Sequence, residues 1–95
     1  MANYSLTQID EVEELELLLL EVEIRDLVVY NDEVNTFEDV IQWFVEICDH
    51  RLEQAEQCAY LIHYTGKCIV KNGTYEFLEP RCGALLQRGL TAEIK

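Results

Sequence analysis

The pattern of apolar and polar residues first becomes regular at Leu27–Tyr30, a β-rich run that predicts a central strand buried on both faces. The strand gives way to a polar turn, Asn31–Glu33, because Asn and Asp side chains form hydrogen bonds with the local backbone and so favour turns. The turn leaves a carboxylate and an amide oxygen at the rim of the predicted core. Both groups are acceptors, which suits a positively charged ligand.

The first helix is predicted directly after this turn. From Phe37 to Cys48, apolar residues recur three and four positions apart, while acidic and amide side chains lie on the opposite face. Thr36 is the expected N-cap, and Asp39 three residues later completes an approximate capping box.

The second predicted helix runs from about Glu53 to Tyr64 and ends at Gly66. Its inner stripe consists of the small or apolar residues Ala55, Cys58, Ala59 and Ile62. His63 lies at the edge of this stripe, so it can meet the polar turn if the helix packs behind that turn. A lone helical histidine is more often an ordinary surface or core residue, and the pattern alone leaves this alternative open.

The next stretch favours a second strand over residues 68–70, followed by a turn at Asn72-Gly73. A β-hairpin that returns through Tyr75 and Phe77 is the alternative interpretation. A proline soon interrupts that run, which favours a helix there instead.

The third helix is predicted to begin with Pro80 at its first position, where a backbone N–H would have no helical partner in any case. It continues from Arg81 to Arg88 and closes at Gly89, and the alternating residues 90–94 predict a final strand. The order β-α-α-β-α-β predicts an α+β domain in which three helices pack against a small, mostly antiparallel, three-stranded sheet.

Charge separates an acidic N-terminal stretch from the rest of the chain. The 95 residues are enough for one small domain and carry a net charge of −12. Residues 1–26 contain eight acidic groups and one basic group, so we expect an acidic, flexible extension at residues 1–24 before a core domain at residues 25–95. This acidity argues against nucleic acid and anionic membranes as partners, because binding them takes clustered Lys and Arg. The apolar run Leu17–Leu20 is far shorter than a membrane span.

The four cysteines do not predict a zinc site. Cys48, Cys58, Cys68 and Cys82 stand 10, 10 and 14 residues apart, so no C-x-x-C pair is present. Each occupies an apolar position, which indicates free cysteines packed as small hydrophobic residues in a reducing compartment. The N-terminus shows no secretory signal. We therefore expect a cytoplasmic protein without a metal or a cofactor.

A polar turn and a histidine segment about thirty residues later form a specific pair of motifs. The segment Leu27–Ile41 contains the Asn-Asp-acid turn, and Ala55–Lys67 ends in an apolar-His-Tyr-x-Gly-Lys sequence. Together they resemble the ClpS adaptor family of the N-end rule pathway, over about residues 27–94. The resemblance implies a three-stranded sheet packed on three helices, without catalytic activity. It also implies an adaptor that binds the N-terminal residue of substrate proteins, typically Leu, Phe, Tyr or Trp, and delivers them to a ClpA- or ClpC-like AAA+ unfoldase.

The resemblance assigns roles to particular residues. Recognition of the substrate's α-amino group falls on Asn31, Asp32, Glu33 and His63. Burial of its first side chain falls on Val29, Asn35, Phe37, Val40, Ala59, Ile62 and Leu90. Docking of the unfoldase falls near Glu76 and Arg81. The chemistry is sensible, because an α-amino group is mostly an ammonium at pH 7 and needs carboxylate, amide or neutral imidazole acceptors.

The chain departs from the family pattern inside the implied pocket. Glu33 replaces the usual second Asp, Asn35 the usual Thr, and Thr36 the usual Pro. Phe37 and Ala59 stand where Met is common, so one adds bulk and the other removes it. We expect these departures to alter the ranking of N-terminal residues more than the mode of binding.

Two other functions remain open on the sequence. A nucleophilic enzyme would pair His63 with Cys58 or Cys68, although no third orienting group is evident. A protein of the same fold that binds the unfoldase without recognising N-terminal residues is the second alternative, because the pocket residues are altered. Thiol reactivity tests the first alternative, and peptide binding tests the second.

Overall fold

Three helices pack against a three-stranded sheet. The computed structural model describes residue 15 and residues 23–95, so most of the predicted extension lies outside the described residues. The elements follow the order β1 Arg25–Tyr30, α1 Phe37–Cys48, α2 Leu52–Thr65, β2 Lys67–Gly73, α3 Tyr75–Gln87 and β3 Thr91–Ile94. This order confirms the predicted α+β class. None of the described helices is long and apolar enough to cross a membrane.

β1 is the central strand of the sheet, as predicted. It pairs antiparallel with β2 on one side and with β3 on the other, so that Val29 lies opposite both Cys68 and Ala92. Leu27, Val28 and Val29 are all buried, which explains the uninterrupted apolar run. The end of this strand carries the polar loop to the edge of the core.

The hydrophobic core lies between the sheet and the helices. Its largest fully buried side chains are Phe44, Leu27, Leu78, Leu85, Val29 and Cys48. All four residues of the predicted α2 stripe are buried as well. Burial of a side chain the size of Leu or Phe contributes about 1.5–3 kcal/mol.

Local hydrogen bonds fix the start of α1 and the end of α2. The Thr36 hydroxyl accepts a 3.2 Å hydrogen bond from the backbone N–H of Asp39, which confirms the predicted N-cap. α2 ends at Gly66, whose φ of 96° is a left-handed conformation that favours glycine. Both ends border the loop between β1 and α1.

The start of α3 differs from the prediction. The helix begins at Tyr75, so the prediction of Pro80 at its first position is wrong, and so is the alternative hairpin. Thr74 explains the early start, because it caps the helix with two hydrogen bonds. Its hydroxyl accepts a 3.2 Å hydrogen bond from the backbone N–H of Phe77, and its carbonyl accepts a 3.0 Å hydrogen bond from the backbone N–H of Leu78. Leu78 is fully buried, and this packing together with the cap outweighs the hydrogen bond that Pro80 cannot donate.

β2 is longer than predicted. Asn72 and Gly73, which we expected in a turn, are its last residues and pair with Asp26 and Arg25 of β1. A Cβ on Gly73 would lie 2.7 Å from the ring of Phe77, so a larger residue there would force this ring to shift. Close packing, rather than a turn, explains this glycine.

Candidate functional site

The polar loop after β1 is fastened to the end of α2. The backbone N–H of Asn31 donates a 2.8 Å hydrogen bond to the carbonyl of Gly66, the residue that ends α2. Tyr30 and Lys67 are partners in the sheet directly beside this bond. The last turn of α2, which carries His63, is thereby brought to the polar loop.

Asp32 organises this loop. Its Oδ1 accepts hydrogen bonds from the backbone N–H groups of Val34 (2.8 Å) and Asn35 (3.0 Å), and its Oδ2 accepts one from the Asn35 side chain (3.2 Å). Burial by itself raises the pKa of Asp32, but the hydrogen bonds from Asn35 and Val34 outweigh it and hold the pKa below the ordinary 3.8. Asp32 is therefore an oriented carboxylate that is ionised at neutral pH.

Asn35 connects the loop to the segment between α3 and β3. Its side-chain amide donates to Asp32 and, at 3.4 Å, to the carbonyl of Gly89. Gly89 has a φ of 90°, a conformation in which a larger residue would be strained. Because the next residue, Leu90, is buried, this link places an apolar wall beside the charged loop.

The loop, α1, α2 and Leu90 surround a cavity of about 60 Å³. It is lined by Val29, Tyr30, Asn31, Asp32, Asn35, Phe37, Val40, Ala59, Ile62, His63 and Leu90. All seven residues that the resemblance assigns to a side-chain pocket lie here, together with three of the four assigned to the α-amino group. Polar acceptors and apolar side chains therefore share one cavity.

Glu33 is placed differently from what the sequence led us to expect, and Tyr30 is a lining residue that the sequence analysis missed. Glu33 is exposed and is not among the residues that line the cavity. Tyr30 does line it, although alternation along a strand assigns Tyr30 to the face opposite Val29. The signal that could have identified Tyr30 is its position as the last residue of β1, where the strand passes into the loop.

Aromatic rings surround His63. The centroid of its ring lies 5.5 Å from that of Phe37 and 4.9 Å from that of Tyr64, and Phe37 in turn lies 5.1 Å from Tyr60. The rings are tilted or edge-on, as aromatic pairs prefer. His63 itself is exposed, so its imidazole is flanked by these rings and still reaches solvent.

Glu76 and Arg81 lie on α3, outside the cavity lining. Glu76 is exposed in the first turn of the helix. The Arg81 guanidinium lies 3.8 Å from the centroid of the Phe77 ring and donates a 2.8 Å hydrogen bond to the Phe77 carbonyl. Its other terminal nitrogen lies 3.6 Å from a carboxylate oxygen of Asp49. The fold therefore holds Arg81 in one position.

All four cysteines are free, as predicted, and all but Cys68 are buried. A hydrogen bond with Cys68, together with burial, raises the pKa of Cys58. This disfavours the thiolate at Cys58, whereas the same hydrogen bond lowers the pKa of Cys68. In the part of the chain that the structure describes, no three His, Cys, Asp or Glu side chains are grouped to hold a metal ion.

Comparisons with known proteins agree with this fold. A comparison with curated protein sequences finds no match. Among solved structures, the chain is similar to ClpS2 of Agrobacterium tumefaciens bound to L-phenylalaninamide, with a TM-score of 0.73, 13% sequence identity, and coverage of 77% of this chain and 95% of that chain. The family model for the ATP-dependent Clp protease adaptor protein ClpS matches residues 25–93. Since this match runs from the first residue of β1 into β3, the chain belongs to the ClpS family of Clp protease adaptors.

Proposed function

We propose that this chain binds the free N-terminal residue of substrate proteins and delivers them to a Clp AAA+ unfoldase for degradation, without catalysing a reaction itself. The N-terminal residues it binds are bulky and hydrophobic, namely Leu, Phe, Tyr and Trp. One observation carries the proposal: the ionised Asp32, the polar Asn31 and His63, and a set of apolar side chains line the same cavity. Such a cavity selects a cation and an apolar side chain that are attached to the same carbon atom.

The polar rim suits an ammonium group. A peptide's α-amino group has a pKa of about 7.7–8.0, so at pH 7 it is mostly protonated and has three N–H donors. Asp32 can accept from it through Oδ2, because the two backbone amides of the loop bind Oδ1 instead. Asn31 adds an amide oxygen and His63 an imidazole nitrogen. Acetylation of the peptide removes the charge that this rim attracts.

The apolar wall suits a large side chain. Four of the lining residues are buried apolar side chains, namely Val29, Ala59, Ile62 and Leu90. Burying a bulky side chain against them contributes about 1.5–3 kcal/mol to binding. The ligand in the ClpS2 structure, L-phenylalaninamide, combines a free α-amino group with a benzyl side chain, and this pairing supports the proposal.

We place the unfoldase contact at Glu76 and Arg81. Both residues lie on α3 and outside the cavity lining, so a bound substrate would leave them accessible. The contacts of Arg81 with Phe77 and Asp49 hold its guanidinium in place, so it loses little conformational freedom when a partner contacts it. The four free cysteines suit a reducing compartment, and we assign the adaptor to the cytoplasm.

A second candidate function is regulation of the unfoldase without binding of N-terminal residues. The observation that favours it is the volume of the cavity, about 60 Å³, which is below the roughly 150 Å³ that accommodates benzene. The Phe37 ring, which lies against His63, occupies part of this region. On the adaptor proposal, we expect Phe37 to move when a large side chain enters.

Binding of labelled peptides distinguishes the two functions. We would titrate the full chain into peptides that differ only in their first residue, Leu or Phe against Arg or Glu, and follow fluorescence anisotropy. N-acetylated copies of each peptide serve as controls. The adaptor predicts a micromolar or tighter Kd, about −8 kcal/mol, for free Leu or Phe alone.

A lack of binding to every peptide, combined with retention of the chain on an immobilised Clp unfoldase, would establish the regulator instead. Retention that is lost in Glu76→Lys but kept in Glu79→Lys, an exposed neighbour on α3, would support the docking assignment. Absence of both peptide binding and unfoldase binding would refute both candidate functions.

A further inference from the structure

α1 and α2 form a second depression, which shares no residue with the cavity described above. We call it the α1–α2 groove. It is open to solvent and has a volume of about 440 Å³. Its apolar floor is made by Ile41, Val45 and Leu52, and its rim carries the carboxylates of Glu38, Glu46 and Glu56.

The floor of the groove exposes apolar surface to solvent. Leu52 is 57% exposed and Val45 is 37% exposed, whereas Ile41 is half-buried and packs against the core. Single exposed apolar residues are normal on a protein surface. Two exposed apolar residues that meet a half-buried third in one depression, with charged residues at its rim, are typical of an interaction site.

The rim of the groove carries negative charge that the described residues do not neutralise. The ion pairs within residues 23–95 involve the carboxylates of Glu23, Asp49 and Glu93, none of which lies in the groove. Glu46 accepts a 2.9 Å hydrogen bond from Gln42, a neutral donor that leaves its charge in place. Among the residues that the structure describes, no basic side chain forms an ion pair with the three carboxylates around this apolar floor.

We propose that the α1–α2 groove binds an amphipathic helix of a partner protein, with apolar residues in the groove and Lys or Arg on both flanks. The apolar floor supplies the surface to be buried, and the rim supplies the complementary charge. Glu38 and Glu46 are eight residues apart on α1, which corresponds to about 12 Å along the helix axis. A partner segment of two to three turns, with apolar residues at i and i+4, matches this length.

Charge favours this occupant over the two others that the chain itself offers. Residues 1–22 contain no Lys or Arg, so the acidic rim would repel the chain's own N-terminal segment. A second copy would bring together two chains that each carry a net charge of −12. A basic helix has the opposite charge and meets neither obstacle.

The probe for the test is a labelled, N-acetylated helical peptide with Leu at i and i+4 and Lys on both flanks. Acetylation keeps it from the N-terminal amine site. A peptide of the same composition in scrambled order and a peptide with Glu in place of Lys are its controls. We expect the full-length chain to bind the first peptide, with an affinity that falls as salt is added.

Matched substitutions on α2 locate the binding. Leu52→Ser should weaken binding at least about tenfold, whereas Leu61→Ser, at a residue 44% exposed on the same helix but outside the groove, should change it less than about twofold. Glu56→Gln should weaken binding and reduce its dependence on salt. Glu53→Gln removes the same charge outside the groove and should do neither.

Four results would overturn the proposal. The first two are that the cationic peptide does not bind at millimolar concentration, or that the scrambled peptide binds with the same affinity. The third is that the groove variants and their controls lose the same amount of affinity. The fourth is that the chain self-associates and that Leu52→Ser makes it monomeric in sedimentation. The last result would make the groove a contact between copies. Circular dichroism of each variant confirms that the fold is kept.

Discussion

Replacing Asp32 with Asn removes one negative charge from the cavity, together with the Oδ2 acceptor that the Asn35 side chain contacts. Asn keeps the size of the side chain and one acceptor oxygen, so the backbone N–H groups of Val34 and Asn35 can retain their partner. The loop should therefore stay near its present conformation. The substitution tests together the charge and the Oδ2 acceptor that we propose bind the α-amino group.

The size of the effect follows from the position of Asp32. Two unit charges 4 Å apart attract by about 1 kcal/mol in water and by about 4 kcal/mol at the effective dielectric near a protein surface. Asp32 is half-buried, and its Oδ1 is already engaged by the loop, so an intermediate value applies. We expect Asp32→Asn to weaken binding of a Leu-initiated peptide by about 2 kcal/mol, or about 30-fold in Kd.

Anisotropy titrations with the Leu-initiated peptide measure this change, and Asp39→Asn is the matched control. Asp39 is exposed on α1 and lies outside the cavity lining, so its substitution changes the net charge by the same amount. A result within about twofold of the unmodified chain for Asp32→Asn would refute the assigned role. Equal weakening in both variants would show that the overall field of the acidic chain, rather than Asp32, attracts the peptide.

The pH dependence of binding has a definite sign. The pKa of Asp32 lies below its unfolded value of 3.8, so the stabilisation it gives the loop is complete above pH 3.8 and is lost as the pH falls through the lower, folded pKa. The peptide's ammonium loses its proton above about pH 8. Binding should therefore weaken above about pH 8, and the weakening should be smaller in Asp32→Asn.

Three further substitutions test the site and the fold. His63→Ala should weaken peptide binding by about 0.5–1.5 kcal/mol, the net contribution of one hydrogen bond, with an unchanged melting temperature because His63 is exposed; an unchanged Kd would refute its role as an acceptor. Phe37→Met should improve the affinity for Phe-initiated peptides relative to Leu-initiated ones, because the flexible Met side chain can move aside for a large ligand side chain more easily than the Phe ring. Unchanged relative affinities in anisotropy titrations would contradict this. Thr74→Ala should lower the free energy of unfolding by about 1 kcal/mol in urea titrations through loss of the α3 cap, whereas an unchanged value would show that Leu78 alone fixes the helix start.

The elements that sequence reasoning predicted well are those that local rules determine. β1 is apolar on both faces because it is central, and α1 combines a regular apolar stripe with a capping threonine at Thr36. α2 ends at a glycine that adopts the expected left-handed conformation. In each case the local preference and the tertiary packing favour the same structure, so the pattern alone is sufficient.

α3 shows where local rules fail. A proline and a preceding acid favour a helix start at Pro80, and Asn72-Gly73 favours a turn. The structure instead extends β2 through Gly73 and starts α3 at Tyr75, because Leu78 is fully buried against the core. The gain from this burial appears only when the helix packs against the sheet, and no short stretch of sequence reveals it.

The polar turn shows a different limit, since its three residues look equivalent in the sequence but are not equivalent in the fold. Asn31 is tied through its backbone to Gly66, Asp32 is turned inward by the amides it accepts from, and Glu33 remains exposed outside the cavity lining. Glu33 stands where the family usually has Asp and is one methylene longer. Because Glu33 lies outside the cavity lining, this extra length does not alter the lining. Phe37 does line the cavity, so it is where the choice between N-terminal residues should be decided.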